Sequence, residues 1–570
     1  MIPYNNRYTK SYLSLAKLIS DDYHVKEVND VKIISNFLFF KDYGIKLDKS
    51  TDFGKFYIKN FNILTEDTIY RAIMYNNLEA FISFTEREGF NKDQTLKNEL
   101  YPYHFIVEEY SLLELCCYYG AVDCFKFLRT KFDSKITQTC LEFSFLGGNP
   151  EIMSECLKYQ KPNKDCMEYA IISHNIDFVT FLMNEYNIEI DLDYCVLYNN
   201  LESFLVHFDQ TNDIDECFLY SATFNFPSLL EYFISHGANI NTKNKNGSTA
   251  LHIAAWNNRK EMAEILISHG ANINEKDGDG ETALHNVIAR NYKEMAEFLI
   301  SHGANINEKN KNGDTTLHIV ARENRKKMTE FLISHGANIN EKDGDGETAL
   351  HIAAWNNRKE MTEFLISHGA NINEKNKNGE TVLDLAAWNN SKEIVEVLIS
   401  HGVNINEKNK NGKTALDLAA ARNYKEMTEF LILHGANINI KNKNGSTALH
   451  VAARNNSKET AEILISHGAN VNEKDGDGET ALHIVARKNS EEIVEILISH
   501  GANINEKDGD GETALHITAA RNYKEMTEFL ISHGANINEK NKNGKTALDL
   551  AAAWNYKETA NVLISHGAKE

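Results

Sequence analysis

The sequence predicts an all-α repeat stack, in which two short helices, a turn between them and a projecting loop after them recur along more than half the chain. Three observations predict it. His-Gly-Ala begins at His236, His269, His302, His335, His368, His434, His467, His500, His533 and His566, with His401-Gly402-Val403 in the remaining slot, so every step is 33 residues. Thr-x-Leu followed by His or Asp recurs ten times, from Thr249 to Thr546, at the same step. A polar stretch rich in Gly and Asn closes each unit, as NINEKDGDGET does after Ala271. A fixed period of this length marks supersecondary units that must stack on one another to bury their apolar faces.

Each element of the unit has a local cause. Thr249 is a suitable N-cap, and Leu251, Ala254 and Ala255 follow at helical spacing, with the two alanines small enough for a neighbouring helix to approach. Asn258 ends that helix, because Asn tolerates the left-handed conformation of a C-cap, and every unit down to Asn555 has Asn there. A second helix is expected over about 260–268, with Met262, Ile265 and Leu266 on its apolar face and Gly270 at its end. The polar stretch that follows reads as a projecting turn anchored by Ile273. Neither helix is long enough to be stable alone, so stability must come from stacking.

The spacing of T-x-L-H, the following Ala-Ala and L-x-x-x-G-A-x-x-N resembles ankyrin repeats, over about residues 216 to 570. The resemblance implies an all-α ankyrin-repeat solenoid of helix-turn-helix units with projecting β-turn fingers, and a His or Asp in T-x-L-[H/D] that hydrogen-bonds between repeats. Two departures are uniform. Ala usually replaces the Pro expected after Thr, and Asn replaces the Gly expected between the helices. Losing a helix-starting Pro forgoes at most about 1 kcal/mol of unfolded-state restriction per unit, so the array is expected to melt below ~90 °C.

Upstream of Asn244 the pattern decays without vanishing. Cys217 to Asn241 keeps the second helix and the SHGANIN tail in register, and is similar to the domain of unknown function that precedes ankyrin arrays in trichomonad parasite proteins. Before it, an acidic residue opens candidate second helices at Leu78-Glu79, Val122-Asp123, Pro150-Glu151, Ile176-Asp177 and Leu201-Glu202, and from Asp123 the steps shorten to 28, 26 and 25 residues. Shortened steps suggest helix pairs that have lost their fingers. The expected organisation is therefore a helical segment over 1–65, divergent ankyrin-like helix pairs over 66–215, a degenerate repeat over 216–243, and ten repeats of 33 residues over 244–570.

Composition bounds the function. The net charge of −21 over 570 residues weighs against nucleic acid, which needs clustered Lys and Arg. No run of about 18 apolar residues suggests a membrane span. The start of the chain lacks the apolar core of a secretory signal. All 8 cysteines lie between Cys116 and Cys217 without a C-x-x-C pair, which fits buried reduced thiols in a cytoplasmic protein. The ordered histidine rows do not converge as metal ligands must, and the DGDG loops at Asp277, Asp343, Asp475 and Asp508 lack a complete calcium ligand set. No phosphate-binding Gly loop or nucleophile elbow occurs. We expect no cofactor, no metal and no catalysis, and a monomer whose partner is a protein or peptide.

The partner's site is sought in the columns that vary between near-identical units. After Ala-Ala, two columns carry Trp256, Arg322, Trp355, Trp388, Arg454 and Arg487, then Asn257, Arg290, Arg422, Arg521 and Trp554, including all 4 tryptophans of the chain. Trp and Arg dominate interface hot spots, and the resemblance places these columns with the fingertips on a concave contact surface. The candidate fingertip contacts are Asp279, Glu281, Asp345, Glu347, Asp477, Glu479, Asp510 and Glu512. Three rival readings stay open: an adaptor or effector whose N-terminal region engages other machinery, an enzyme with a repeat tail, and a structural spacer in which Trp merely covers the helix ends.

Overall fold

The computed structural model describes residues 68–96 and 109–569. The segment expected over 1–65 lies outside them. The chain divides into two compact units, Met1–Asn244 and Lys245–Glu570.

In the first unit the described helices come in pairs: Ile69–Met74 with Leu78–Thr85, Leu112–Tyr119 with Val122–Phe132, Gln138–Gly147 with Pro150–Cys156, Lys164–Ile172 with Ile176–Tyr186, Leu192–Leu197 with Leu201–Thr211, and Ile214–Phe224 with Pro227–Ser235. Five of the second helices begin at the residues the acidic pattern marks: Leu78, Val122, Pro150, Ile176 and Leu201. Their first-turn carboxylates face the positive end of the helix dipole. Within each pair the chain reverses through a left-handed residue, Asn76, Gly120, Gly148, His174, Asn199 or Asn225. Between pairs, residues 133–137, 157–163, 187–191 and 212–213 are too few to form a finger.

One element has no counterpart in the sequence reading. Thr95–Leu96 pairs antiparallel with Tyr110–Ser111. Two-residue strands carry no detectable period, so composition cannot reveal them. Ser111 also caps the helix after it: its N–H donates to Glu114 Oε2 at 2.8 Å, and Glu114 N–H donates to Ser111 Oγ at 3.3 Å. All eight cysteines are free and buried. Burial holds the thiols of Cys124, Cys166, Cys195 and Cys217 up at about 12, far from the reactive thiolate range.

In the second unit ten first helices run from Ala250–Trp256 to Ala547–Ala553, and ten second helices from Lys260–Ser268 to Lys557–Ser565. Leu251, Ala254, Ala255, Met262 and Leu266 are all buried to 1% exposure or less, as are most of their equivalents. All ten Asn from Asn258 to Asn555 adopt φ between 54° and 61°. These short helices gain little from propensity, so the stack is held by what passes from one repeat to the next.

Four bonds recur along it. The N–H of Thr249 donates to His252 Nδ1 at 3.2 Å, which leaves the proton on Nε2 to donate to the Glu281 carbonyl of the next repeat at 3.0 Å. His285, His318, His450, His483 and His516 do the same, whereas His351 Nε2 is buried without such a bond. Fingers join backbone to backbone, as in Gly278 N–H to Asn246 O at 2.7 Å, Lys311 to Asp279 at 2.9 Å and Lys377 to Asp345 at 2.8 Å. At the finger base, Lys276 Nζ reaches the Lys309 carbonyl and the Glu308 carboxylate, at 2.8 and 2.9 Å. Asn274 bridges to Gly303 O and Asn305 N–H, at 3.3 and 2.8 Å. Asp replaces His at 384, 417 and 549, where it accepts the Thr N–H, as Asp384 does from Thr381 at 2.8 Å.

Candidate partner-binding surface

The two variable columns sit at the C-terminal ends of the first helices, beside the finger bases. Arg322 donates to both carboxylate oxygens of Asp314 at 3.1 Å, Arg454 lies 3.5 Å from Asp475, and Arg487 grips Glu479. Each of these pairs ties a helix end to a finger, so the two features share one surface.

The tryptophans differ in what covers them. Arg290 lies over Trp256, 3.7 Å from its centroid, and Arg422 over Trp388 at 3.8 Å. Each pair joins one repeat to the next, a cation–π contact between columns that sequence reading treats as separate. Trp388 is half-buried. After Trp355 the next repeat offers Asn389, whose Nδ2 donates to the Trp355 carbonyl at 2.9 Å and leaves the ring 48% exposed. Trp554, in the last repeat, is 66% exposed. Asn257 is half-buried and bonds back to Ile253 O at 2.9 Å, and Arg521 is exposed.

The fingertip set divides in two. Asp279, Asp345, Asp477 and Asp510 are exposed, with their backbone carbonyls holding the next finger. The glutamates turn inward. Glu281, Glu347 and Glu512 are half-buried, and Glu479 is buried against Arg487. Burial pushes the carboxyls of Glu281 and Glu347 above their usual range. Glu479 is therefore not a fingertip: it is a structural partner of Arg487, and only the aspartates project.

The same geometry explains the DGDG loops. Asp277 Oδ1 accepts from the N–H groups of Asp279 and Glu281, both at 2.9 Å. In a sister finger Asn310 Oδ1 accepts from Asn312 and Asp314, at 3.0 and 2.9 Å. Asp and Asn thus do one job, closing an Asx turn. Among the described residues no group of three His, Cys, Asp or Glu is placed to hold a metal ion. No helix among them is long and apolar enough to cross a membrane. The His-Gly column is local too: His269 Nδ1 donates to the Ile265 carbonyl at 2.8 Å and finishes the second helix.

Burial sets the charge of the inter-repeat residues. It pushes His285, His318, His450, His483 and His516 below the usual imidazole range, and His351 down to about 4. It pushes Asp384 up to about 7 and Asp417 up to about 6, whereas the N–H of Thr546 holds Asp549, in the last repeat, below its ordinary value.

A family model described as ankyrin repeats, in three copies, matches residues 192–277, 218–310, 271–343, 304–376, 339–409, 370–442, 416–508 and 505–570. A model described as a domain of unknown function (DUF3447) matches residues 132–207. No curated protein matches the chain.

Proposed function

The chain belongs to the ankyrin-repeat family, and from that premise we propose that it is a non-catalytic scaffold that binds a protein or peptide along the surface of helix ends and fingers in residues 244–570. The observation that carries this reading is the exposure of Trp256 and Trp355, 45% and 48%, beside the half-buried Trp388, in columns that vary while the core columns hardly change. A large ring left open among polar neighbours is the usual form of an interface anchor. The exposed fingertip aspartates flank it with negative charge, which favours a partner with basic groups.

The contact residues of this reading are Trp256, Asn257, Arg290, Trp355, Trp388, Arg422, Arg521 and Trp554, with Asp279, Asp345, Asp477 and Asp510 at the fingertips. Arg322, Arg454 and Arg487 act through their finger carboxylates, which they hold in place. Residues 66–215 serve as divergent helix pairs and 216–243 as the repeat leading into the array. A reducing compartment such as the cytoplasm suits the eight free buried thiols, and we take the protein to act as a monomer.

Affinity capture from cell lysate tests the reading. Wild type is compared with a variant carrying Trp256→Ala, Trp355→Ala, Trp388→Ala and Trp554→Ala, after circular dichroism shows that both fold. Proteins retained by wild type and lost by the variant support the scaffold. Equal retention moves attention to the N-terminal unit, and no retention by either favours a spacer.

A further inference from the structure

We propose that the groove between helices Leu201–Thr211 and Pro227–Ser235 is a docking site for an amphipathic helix carrying Leu- or Phe-type side chains on one face and Lys or Arg beside them. The groove lies in the first unit and does not depend on the array surface. It encloses about 400 Å³, lined by Leu201, Leu205 and Phe208 from one helix, and by Phe226, Leu229 and Tyr232 from the other. Leu201, Leu205 and Phe208 follow at i, i+4 and i+7, so they form one stripe. Leu205, Phe226 and Tyr232 are 44%, 44% and 43% exposed.

Two of these residues stand where the array carries charge, and a third where most of the earlier pairs carry a capping Asn. Leu201 is the first residue of its helix and Leu205 the fifth. In the array those two positions are Lys260 and Glu264, with solvent-facing charge. Phe226 is the N-cap of its helix and makes no side-chain cap bond. Asn77, Asn149, Asn175 and Asn200 hold that place in four of the five earlier pairs, and each accepts a helix N–H, whereas Ala121 in the fifth and Arg259 in the array make no such bond. Phe226 thus puts an aromatic ring at the mouth of the groove, where Asn200 in the preceding pair supplies a cap.

Charge selects the occupant. From Asp165 to Thr242 the sequence holds 13 Asp and Glu and neither Lys nor Arg. Glu202, Asp209 and Glu231 are exposed on the two helices that form the groove. An apolar groove in a wholly acidic stretch attracts cationic partners and repels anionic ones. The walls are helices whose backbone groups are already paired, so they offer an extended strand no hydrogen bonds. A helix satisfies its own backbone and brings only side chains to the contact.

The test uses the full chain and three labelled synthetic peptides of equal length: an amphipathic Leu/Lys helix, its scrambled isomer, and its Lys-to-Glu counterpart. Fluorescence anisotropy is expected to show binding of the first, at least about tenfold weaker binding of the other two, and an affinity that falls with salt. Phe226→Asn installs the missing cap, so it should fold at least as well as wild type yet bind the amphipathic peptide about tenfold more weakly. Leu205→Lys should do the same. Glu202→Gln with Asp209→Asn should weaken binding severalfold and flatten its salt dependence. Equal binding of the scrambled peptide, or indifference to both Phe226→Asn and Leu205→Lys, overturns the proposal. So does sedimentation showing a dimer that Phe226→Asn dissolves, since the occupant is then a second copy of the chain.

Discussion

The guanidinium of Arg422 lies over the ring of Trp388, 3.8 Å from its centroid, across the boundary between two repeats. Trp388 therefore has two roles, as part of the surface and as a joint within the stack. Trp388→Ala should cost about 1–2 kcal/mol, from the lost contact and partly buried ring. Trp355→Ala, whose ring lacks an Arg cover, should stay within about 1 kcal/mol in a urea melt while removing about tenfold or more in partner affinity. A reversed ranking in the two measurements would refute the assignment of Trp355 as the open anchor.

Acid should loosen the array. The buried histidines have folded pKa values below their unfolded ones, so the neutral ring favours the folded state at neutral pH. That contribution is whole above the ordinary imidazole range and is lost as pH falls from about 6.5 towards the value of about 4 at His351. Urea midpoints taken at pH 8, 6 and 5 should fall in that order.

Asp384 works in the opposite sense. Its carboxyl is held up at about 7, so its protonated form favours folding, and that contribution is lost as pH rises from the ordinary carboxyl range through 7. Asp384→Asn removes the buried charge while keeping an oxygen for the Thr381 N–H. The variant should gain about 1–2 kcal/mol over wild type at pH 8 and almost nothing at pH 4. An equal effect at both pH values would show that the carboxylate is not the cause.

The finger ladder gives a backbone test. Gly313 has φ +80, and a Cβ there would lie 2.2 Å from the N of Gly344 in the next finger. Gly313→Ala should lose about 1–3 kcal/mol through left-handed strain and displacement of the neighbouring finger. An unchanged denaturation midpoint would mean that the ladder contributes little.

One rung of the lysine–glutamate series is missing. Lys375 meets Glu407 at 2.6 Å and Lys441 meets Glu473 at 2.6 Å. Ile440 occupies the equivalent glutamate column opposite Lys408, which keeps only the Lys441 carbonyl at 3.0 Å. Ile440→Glu should restore the pair and add at most about 1 kcal/mol, an increment that disappears in 1 M salt.

Much of this was legible in advance because it is local. Thr249, Asn258 and Gly270 each set their own backbone conformation, so helix ends follow from residue type within a few positions. The acidic residues after Leu78, Val122, Pro150, Ile176 and Leu201 mark helix starts for the same reason. The binding columns were less legible. A column read alone shows that Trp or Arg varies, but not that Trp388, under Arg422, is half-buried while Trp355 stays exposed beside Asn389. Phe226 was missed because one aromatic residue at a cap has no period, and its place beside Leu205 and Tyr232 arises only when the two helices pack.

The 33-residue unit, its two helices, its left-handed Asn turn and its finger follow directly from the order of residues, since each is set by short-range sterics and by the period of apolar positions. Which polar side chains face water is set by the stacking of the repeats. Glu479 and Asp477 belong to one finger, yet Asp477 projects while Glu479 is buried under Arg487. Burial depends on residues eight to thirty-three positions away that stacking brings together, and no local pattern encodes that distance.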